Sequence, residues 1–462
     1  MQGKGRFHPM VGWVLGAAAV VLVVAILLVA TSGVRLADAW PAHGDAAPIT
    51  APLRLAFSHA MDPASVQAHL RIEPAIEGRV AGEGREFQFR PRVAWAPDTT
   101  YTVTLEAGMA SAQGRPLAQE QTWAFRTRAP GLVYLGRTEP EGDVRQVFLL
   151  DREGVAPRTL TEHPTGVWDV AAHPQGEALV YSVLRADGGA DLWWMDRQGG
   201  GQKVLLACPG EACLNPVWSP DGQQIAYERR GIWAGAPNLE ANASRIGVYD
   251  LGSGEDRELF DYDVAAHSPL WSPDGSQLAY LSPLLHGIEV YDLNTQELQQ
   301  FGNDWGAAPT WSPDGRSLAV AELMLAGEAL VVRLVRIDLE QEAMVDISGD
   351  EDMVKDVAPA WSPGGGWIAF GRQFLDAERW TPGRQVWLTR PDASEAYGLP
   401  SEPGLDRFGY VWRPDGGALA YLASDLSDGL QAAPRVSVWV FDFAAGQAVR
   451  VAEEGVLPRW LP

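Results

Sequence analysis

The sequence is poor in cysteine and short of basic residues. It holds 36 Lys and Arg against 59 Asp and Glu, a formal net charge of −23 at pH 7. This excess opposes binding to nucleic-acid phosphates, so we predict no nucleic-acid partner. Cys208 and Cys213 are the only cysteines and flank a Pro-Gly turn. In an oxidising compartment they most simply form a disulfide, whereas a metal site would need further ligands and a redox pair more often has Cys-x-x-Cys spacing.

Motifs for catalysis are also missing. The 462 residues contain no Gly-x-Ser-x-Gly and no His-Glu-x-x-His, and the eight histidines show no ligand spacing. Two acidic runs, residues 261–263 and 350–352, could collect Ca²⁺, but neither belongs to an EF-hand loop and both are typical of solvated loops. We therefore predict no catalytic residue, no metal and no cofactor, and a protein that is not an enzyme.

What the sequence does contain is a repeated short stretch. Its anchor positions, 172, 218, 271, 311, 361, 412 and 460, are separated by 40 to 53 residues, a period typical of arrays of small sheets. In the turn itself Pro presets φ, Asp bonds its own backbone and Gly supplies a positive φ, so we interpret the stretch as architecture. The clearest copies are Trp218-Ser219-Pro220-Asp221-Gly222, Trp271-Ser272-Pro273-Asp274-Gly275 and Trp311-Ser312-Pro313-Asp314-Gly315.

Each turn is followed by apolar strands, and with the anchor strand they make four strands per repeat, which is one propeller blade. Pro lies two positions before most anchors, which favours an edge strand because Pro cannot donate to a ladder. Residues 131–161 lack an anchor strand, whereas residues 456–460 form one with nothing after it, so joining them closes the ring. The pattern predicts an all-β fold with a seven-bladed β-propeller over residues 131–462.

The propeller repeats resemble those of TolB-like proteins of the bacterial envelope. They also resemble the propeller that precedes the hydrolase domain in peptidases of the prolyl-oligopeptidase type. The resemblance implies the fold and leaves the ligand open.

The N-terminal region predicts a membrane anchor. Residues 10–34 carry no charge and are long enough to span a bilayer as a helix, and the basic residues in 1–9 place that end in the cytoplasm. A cleaved signal peptide ending at Ala39 is the alternative, although the apolar run is longer than a signal core. We expect a linker over residues 35–46 and a single-pass location in the bacterial plasma membrane.

Residues 47–128 show short segments that alternate apolar and polar residues, the pattern of half-buried strands in a β-sandwich. The stretches that begin at Phe57, Phe87, Thr99 and Trp123 resemble the bacterial immunoglobulin-like domain typified by surface-layer proteins. That resemblance implies a spacer or presentation module rather than a catalytic one.

Candidate binding residues lie in the loops that enter the anchor strands, at the end of the propeller opposite the repeated turns. Aromatic and Arg side chains are enriched in binding surfaces. These candidates are Trp168, Asp169, Asn215, His267, Trp305, Asp356 and Arg407. We predict a membrane-anchored, non-enzymatic scaffold whose partner is an envelope protein or a cell-wall glycan. The alternative is a hydrolase or lyase acting on peptide or carbohydrate at the channel mouth.

Overall fold

The computed structural model describes residues 33–139, 142–151, 155–232, 244–260, 265–283, 286–351, 353–400, 402, 404–426 and 435–462. The chain divides into two compact units. Unit 1 comprises the residues up to Ala46, Pro52–Arg92 and Thr100–Arg126. Unit 2 comprises Ala47–Ala51, Val93–Thr99 and Thr127–Pro462.

Unit 1 is a sandwich of two four-stranded sheets, with strand orders β1-β3-β6-β5 and β2-β8-β7-β4. Alternation builds its core: Leu53, Leu55 and Phe57 of β3 are buried, as are Phe87 and Phe89 of β6, while the residues between them face outward. The strands are β1 Leu36–Trp40, β2 Ala46–Ala47, β3 Leu53–Phe57, β4 Leu70–Glu73, β5 Gly78–Glu83, β6 Glu86–Pro91, β7 Thr100–Leu105 and β8 Gln121–Thr127.

A short helix, α1 (Pro63–His69), precedes β4. Asp62 is its N-cap, and the Asp62 side chain accepts a hydrogen bond from the Ala64 backbone N–H at 3.3 Å. Pro63 occupies the first helical turn, where its missing N–H has no cost. The helix thus begins where the local sequence dictates.

The N-terminal predictions need two corrections. Residues 35–46, predicted to be a linker, contribute β1, which pairs with β3, and the start of β2. Within the described ranges no helix is long and apolar enough to cross a membrane, which contradicts the predicted single-pass location. The predicted cytoplasmic segment 1–9 and span 10–34 lie outside the described residues except for Gly33 and Val34.

Over its described residues, unit 2 consists of consecutive four-stranded antiparallel repeats, which we number by the order of their innermost strands. Repeat 1 combines the last strand of the chain, β36, with β9, β10 and β11, and each later repeat takes four consecutive strands, from β12–β15 in repeat 2 to β32–β35 in repeat 7. The strands are β9 Gly131–Arg137, β10 Arg145–Leu150, β11 Arg158–Thr159, β12 Val167–Ala172, β13 Ala178–Leu184, β14 Ala190–Asp196, β15 Lys203–Leu206, β16 Glu211–Trp218, β17 Gln224–Gly231, β18 Ser244–Asp250, β19 Asp256–Glu258, β20 His267–Trp271, β21 Gln277–Ser282, β22 Gly287–Asp292, β23 Leu298–Gly302, β24 Thr310–Trp311, β25 Ser317–Ala326, β26 Ala329–Asp338, β27 Ala343–Asp346, β28 Val354–Trp361, β29 Ile368–Phe374, β30 Gln385–Thr389, β31 Ala396–Gly398, β32 Leu405–Trp412, β33 Ala418–Asp425, β34 Val436–Asp442, β35 Gln447–Ala452 and β36 Val456–Leu461.

Strands from the two ends of unit 2 meet in repeat 1. β36 pairs antiparallel with β9, with Val456 opposite Leu135 and Trp460 opposite Leu132. This is the pairing predicted for residues 456–460, and it satisfies edges of both segments that would otherwise be open.

The repeated turn has the chemistry that its sequence predicts. In the first clear copy, the Ser219 hydroxyl donates to Asp221 Oδ1 at 2.6 Å and the Gln223 N–H donates to the same oxygen at 3.0 Å. Gly222 has a φ of 72°. The copies at Asp274 and Asp314 repeat these contacts, so the aspartates are held by turn geometry.

The anchor tryptophans also join neighbouring repeats. The indole Nε1–H of Trp271 donates to the Val217 carbonyl of the preceding innermost strand at 3.2 Å, and Trp218, Trp311, Trp412 and Trp460 make the equivalent bond. Trp361 differs, because its Nε1–H donates to the Gly365 carbonyl in its own turn. Sequence reasoning did not find this second role of the anchor.

Candidate functional site

Four innermost strands of unit 2 carry a β-bulge three residues before the anchor position. Asn215, Ser268, Ala358 and Leu457 have φ between 50° and 55°, and each lies where the register of its strand shifts. In each case the next residue is Pro. A bulge turns backbone N–H groups out of the ladder, and buried N–H groups require an acceptor. We call these places the strand-start ends of unit 2.

Asp169 supplies one such acceptor. This carboxylate of repeat 2 accepts the Asn215 backbone N–H of repeat 3 at 2.5 Å and the Ser182 hydroxyl at 2.7 Å. Its side chain is almost fully enclosed, with Asp169 only 5% exposed. Burial raises the pKa of Asp169 to about 6, against the opposing effect of its two hydrogen bonds, and the nearby Glu228 charge adds to the rise. The buried Asp169 carboxyl therefore has a higher pKa than an ordinary exposed one.

Glu228 makes the equivalent contact between repeats 3 and 4. Its Oε1 accepts the Ser268 backbone N–H of repeat 4 at 2.8 Å, and its Oε2 accepts the Arg230 Nε–H at 3.1 Å. His267 lies beside this contact, with Nδ1 3.0 Å from the Ser268 hydroxyl. Burial lowers the pKa of His267, which favours the neutral ring, although the Glu228 charge opposes this. The neighbouring repeats are thus joined by a carboxylate at each of these two bulges.

A third carboxylate, Glu322 of β25, is bonded to the loop that carries Trp305. Glu322 Oε1 accepts the backbone N–H groups of Asp304 and Leu323, each at 3.0 Å. Its Oε2 is buried and has no hydrogen-bond partner within the described residues. Burial raises the pKa of Glu322. Trp305, the residue after Asp304, is 37% exposed, and the Lys355 ammonium lies 5.2 Å from its ring centroid.

Asp356 faces the interior rather than solvent. Its carboxylate forms a bidentate pair with Arg372, whose Nε–H and Nη2–H donate at 2.8 and 2.6 Å. Asp356 is 0% and Arg372 1% exposed, and the guanidinium packs against the Trp387 ring at 4.8 Å. Burial raises the pKa of Asp356, while the bonds from Arg372 oppose that rise. The arrangement holds two strands of repeat 6 together.

Arg407 is likewise enclosed. Its guanidinium donates to the Glu402 carbonyl at 2.7 Å and to the Leu405 carbonyl at 3.2 Å. These bonds fix the loop that leads into β32. The same guanidinium also donates to the Gln385 side chain at 3.4 Å.

The structure brings some of the predicted site residues together and separates others. Asp169 and Asn215 are in direct contact, and Glu228 links them electrostatically to His267. Trp168, 37% exposed, immediately precedes Asp169. Trp305 belongs to another repeat, and Asp356 and Arg407 each serve an internal contact. Whether any of the seven binds a ligand stays a prediction.

Sequence reasoning missed Glu228 and Glu322. The signal was present, since each acid directly follows an apolar strand segment, Ile225-Ala226-Tyr227 in one case and Ala319-Val320-Ala321 in the other. A carboxylate that continues a buried strand must find donors nearby, and here the donors come from bulge and loop amides.

The two cysteines form the predicted disulfide, with Sγ atoms 1.98 Å apart. Cys208 and Cys213 are both buried in the core shared by repeats 2 and 3. The bridge closes the turn that leads into β16.

Comparison with known proteins confirms the fold of unit 1. Residues 30–127 match the family model of the bacterial Ig-like domain. The match begins before residue 47, in agreement with the extra strand that residues 36–40 contribute.

Two curated proteins are similar to parts of the chain. "Uncharacterized peptidase YuxL" of Bacillus subtilis is 22% identical over 203 residues, which span 43% of this chain and 27% of that protein. Dipeptidyl-peptidase 5 of Porphyromonas gingivalis is 35% identical over 100 residues, or 19% of this chain and 14% of that protein. The chain therefore matches less than a third of the length of either relative.

Solved structures support a propeller-like fold. Puromycin hydrolase, as its S511A mutant complexed with PGG, has a TM-score of 0.54 at 16% identity and covers 71% of this chain and 52% of its own. TolB from Acinetobacter baumannii has a TM-score of 0.40 at 15% identity, covering 74% of this chain and 83% of its own. Because two relatives and a fold neighbour carry peptidase or hydrolase names, the prediction that this chain is not an enzyme is contradicted.

The comparisons support two modules, an Ig-like domain followed by a propeller-like domain.

Proposed function

We propose that this chain acts in the hydrolysis of peptides and that the strand-start ends of unit 2 bind the peptide. The observation that carries the proposal is a set of buried carboxylates: Asp169 and Glu228 each accept a backbone N–H at one of these ends, and Glu322 of β25 keeps Oε2 without a hydrogen-bond partner within the described residues. A peptide main chain presents the same N–H donors, and its amino terminus adds an ammonium group. A carboxylate oxygen that lacks a partner within the described residues, Glu322 Oε2, suits such a donor.

The exposed Trp168 and Trp305 rings support the same proposal. Trp168 precedes Asp169 along the chain, and Trp305 follows Asp304, whose N–H donates to Glu322. Aromatic anchors combined with a few polar groups are typical of peptide-binding surfaces. The peptidase names of the relatives and the likeness to puromycin hydrolase agree with peptide as the substrate class.

Asp169 is our candidate for proton transfer at this site. Peptide hydrolysis requires a group that accepts and returns a proton, and such a group works best when its pKa lies near the working pH. The pKa of Asp169, raised to about 6 by burial, meets that condition.

We also propose that the repeats of unit 2 form a seven-bladed propeller closed by the β36–β9 pairing, with unit 1 as a spacer of the surface-layer type. The predicted partner, an envelope protein or a cell-wall glycan, stays a prediction, as does the absence of a nucleic-acid partner.

The test is incubation of the purified full chain with a mixture of peptides, read by mass spectrometry, with affinity measured by calorimetry. We expect cleavage that Asp169→Asn abolishes, and binding that Trp305→Ala weakens about tenfold, the loss of an aromatic anchor. Asp151→Asn and Tyr397→Ala, both at exposed residues outside the strand-start ends, serve as matched controls.

Two outcomes would overturn the proposal. One is a chain that neither binds nor cleaves any peptide in the mixture. The other is cleavage of oligosaccharides with peptides left intact, which would favour carbohydrate as the substrate.

A further inference from the structure

Unit 1 contains a groove of about 680 Å³ at the open side of its sandwich. It lies where the edge strand of one sheet, β4, meets the edge strand of the other, β5. Leu70, Ile72, Ile76 and Phe89 line it with apolar surface. Its volume is in the range of ligand sites, about 300 to 1,000 Å³.

Arginines surround this apolar lining. Arg71, Arg79, Arg90 and Arg92 all line the groove, whereas Glu77 is its one acidic residue. Arg71 belongs to β4, Arg79 to β5 and Arg90 to β6, so the charges come from three strands. Arg71 is paired with Glu106 at 3.1 Å and Arg92 with Glu77 at 3.8 Å, so Arg79 and Arg90 are the groove arginines that no ion pair among the described residues neutralises.

Two of these arginines are placed directly against each other. Arg79 and Arg90 are cross-strand partners in the β5–β6 register. Like charges directly opposite each other destabilise a sheet. Arg90 donates to the Gln88 side chain at 3.3 Å, and within the part of unit 1 that the structure describes Arg79 makes no ion pair. A bound anion would relieve this repulsion.

The charge of the groove is local to it. Residues 35–127 carry 9 basic and 10 acidic residues, so the cationic groove stands out from a nearly neutral module. Residues 128–462 carry 25 basic and 49 acidic residues. A pair of opposed arginines therefore contrasts with the acidic composition of the chain as a whole.

We propose that this groove binds an acidic segment of a partner protein whose apolar side chains occupy the groove floor. Charge complementarity selects acidic residues, and the spread of the arginines over three strands suits several carboxylates along one peptide better than a single head group. The apolar lining between the arginines accommodates Leu- or Phe-sized side chains placed between those carboxylates.

The experiment uses a fluorescein-labelled eight-residue peptide of alternating Glu and Leu, with fluorescence anisotropy measured on the full chain. We expect binding that weakens as salt rises. Arg79→Gln with Arg90→Gln should lower the affinity about tenfold, the product of two lost surface charge contacts. Arg85→Gln, in the turn of the same hairpin and absent from the groove lining, should leave affinity unchanged.

A second variant guards against a fold defect. Ile76→Glu places a negative charge at the groove floor and should abolish binding while the circular dichroism spectrum stays that of the parent chain. Equal binding of a Gln-Leu peptide, or parent affinity in the double arginine variant, would overturn the proposal. Two further results would overturn the proposal because each identifies another occupant. One is binding of the chain to anionic lipid vesicles but not to the peptide. The other is self-association of the chain that the double arginine variant abolishes.

Discussion

The two units differ in whether they bury charged side chains. In the described part of unit 1, Ser111 is the one buried polar residue and no charged side chain is buried. Unit 2 buries Asp169, Glu228, Asp356 and Arg372 along with further charged groups. In a sandwich of two regular sheets, the strand ladders pair the backbone N–H and C=O groups. The bulged innermost strands of unit 2 leave some N–H groups outside the ladder, and those N–H groups need other acceptors.

The consequence is a division of roles. Charged side chains in unit 2 join strands and neighbouring repeats from within, as Asp169 and Glu228 do at the Asn215 and Ser268 bulges. In the described part of unit 1 no charged side chain is buried, and Arg79 and Arg90 lie opposite each other in the β5–β6 register. Stability of unit 2 should therefore respond to removal of a buried charge far more than stability of unit 1 responds to removal of a surface charge.

The largest effect is expected from Arg372→Leu. Removing this guanidinium leaves the Asp356 carboxylate buried without its partner, which should cost about 3 to 5 kcal/mol of unfolding free energy. Urea unfolding followed by tryptophan fluorescence measures this. The double variant Asp356→Leu, Arg372→Leu should recover part of the loss, and Arg90→Gln in unit 1 should change little. A loss from Arg372→Leu no larger than that from Arg90→Gln would break the comparison.

The second prediction concerns pH. The pKa of Asp169 in the folded chain, about 6, lies above the ordinary carboxyl value, so the folded state binds this proton more tightly than the unfolded state. Its contribution to stability is complete below about pH 4 and is lost as the pH rises through about 6. Relative to Asp169→Asn, the parent chain should lose about 2 kcal/mol of unfolding free energy between pH 4.5 and 7.5. Thermal unfolding of both proteins at the two pH values measures the difference, and a constant difference would contradict the assignment.

The smallest expected loss of stability comes from replacing an anchor tryptophan, and it distinguishes Trp271 from Trp361. Trp271→Phe removes the bond to Val217 in the preceding repeat, and Trp361→Phe removes a bond inside its own turn. Each should cost about 1 kcal/mol from the hydrogen bond. Hydrogen exchange should distinguish them, with faster exchange in β16 for Trp271→Phe and faster exchange confined to the 361–365 turn for Trp361→Phe. Identical exchange patterns would remove the distinction between the two anchors.

Sequence patterns predicted the broad organisation well. The repeated turn, the Ig-like module and the propeller-like module are all confirmed at that level, because Pro, Asp and Gly act on their own backbone and alternation reports a buried face directly. The expectation of no enzyme was wrong because it rested on absent motifs, which speak only for the chemistries those motifs describe.

The sequence did not predict the contacts that the candidate site residues make. Pro216 and Pro269 indicated edge strands, but the positive φ of Asn215 and Ser268 before them is not marked by a glycine. The sequence places Asp356 in a loop that enters an anchor strand. In the structure it lies within β28 and pairs with Arg372, 16 residues away, on the neighbouring strand. Register decides such contacts, and it depends on the whole sheet.

By itself the sequence determined the local chemistry of this protein. It set the seven anchor positions, the aspartate-stabilised turns and the Cys208–Cys213 bridge, since each depends on residues close together along the chain. Only the tertiary structure decided which charges are buried and which remain at the surface. The Asp169 contact to Asn215 and the Arg79–Arg90 pair both arise between strands, where packing and register bring together groups that the chain order keeps apart.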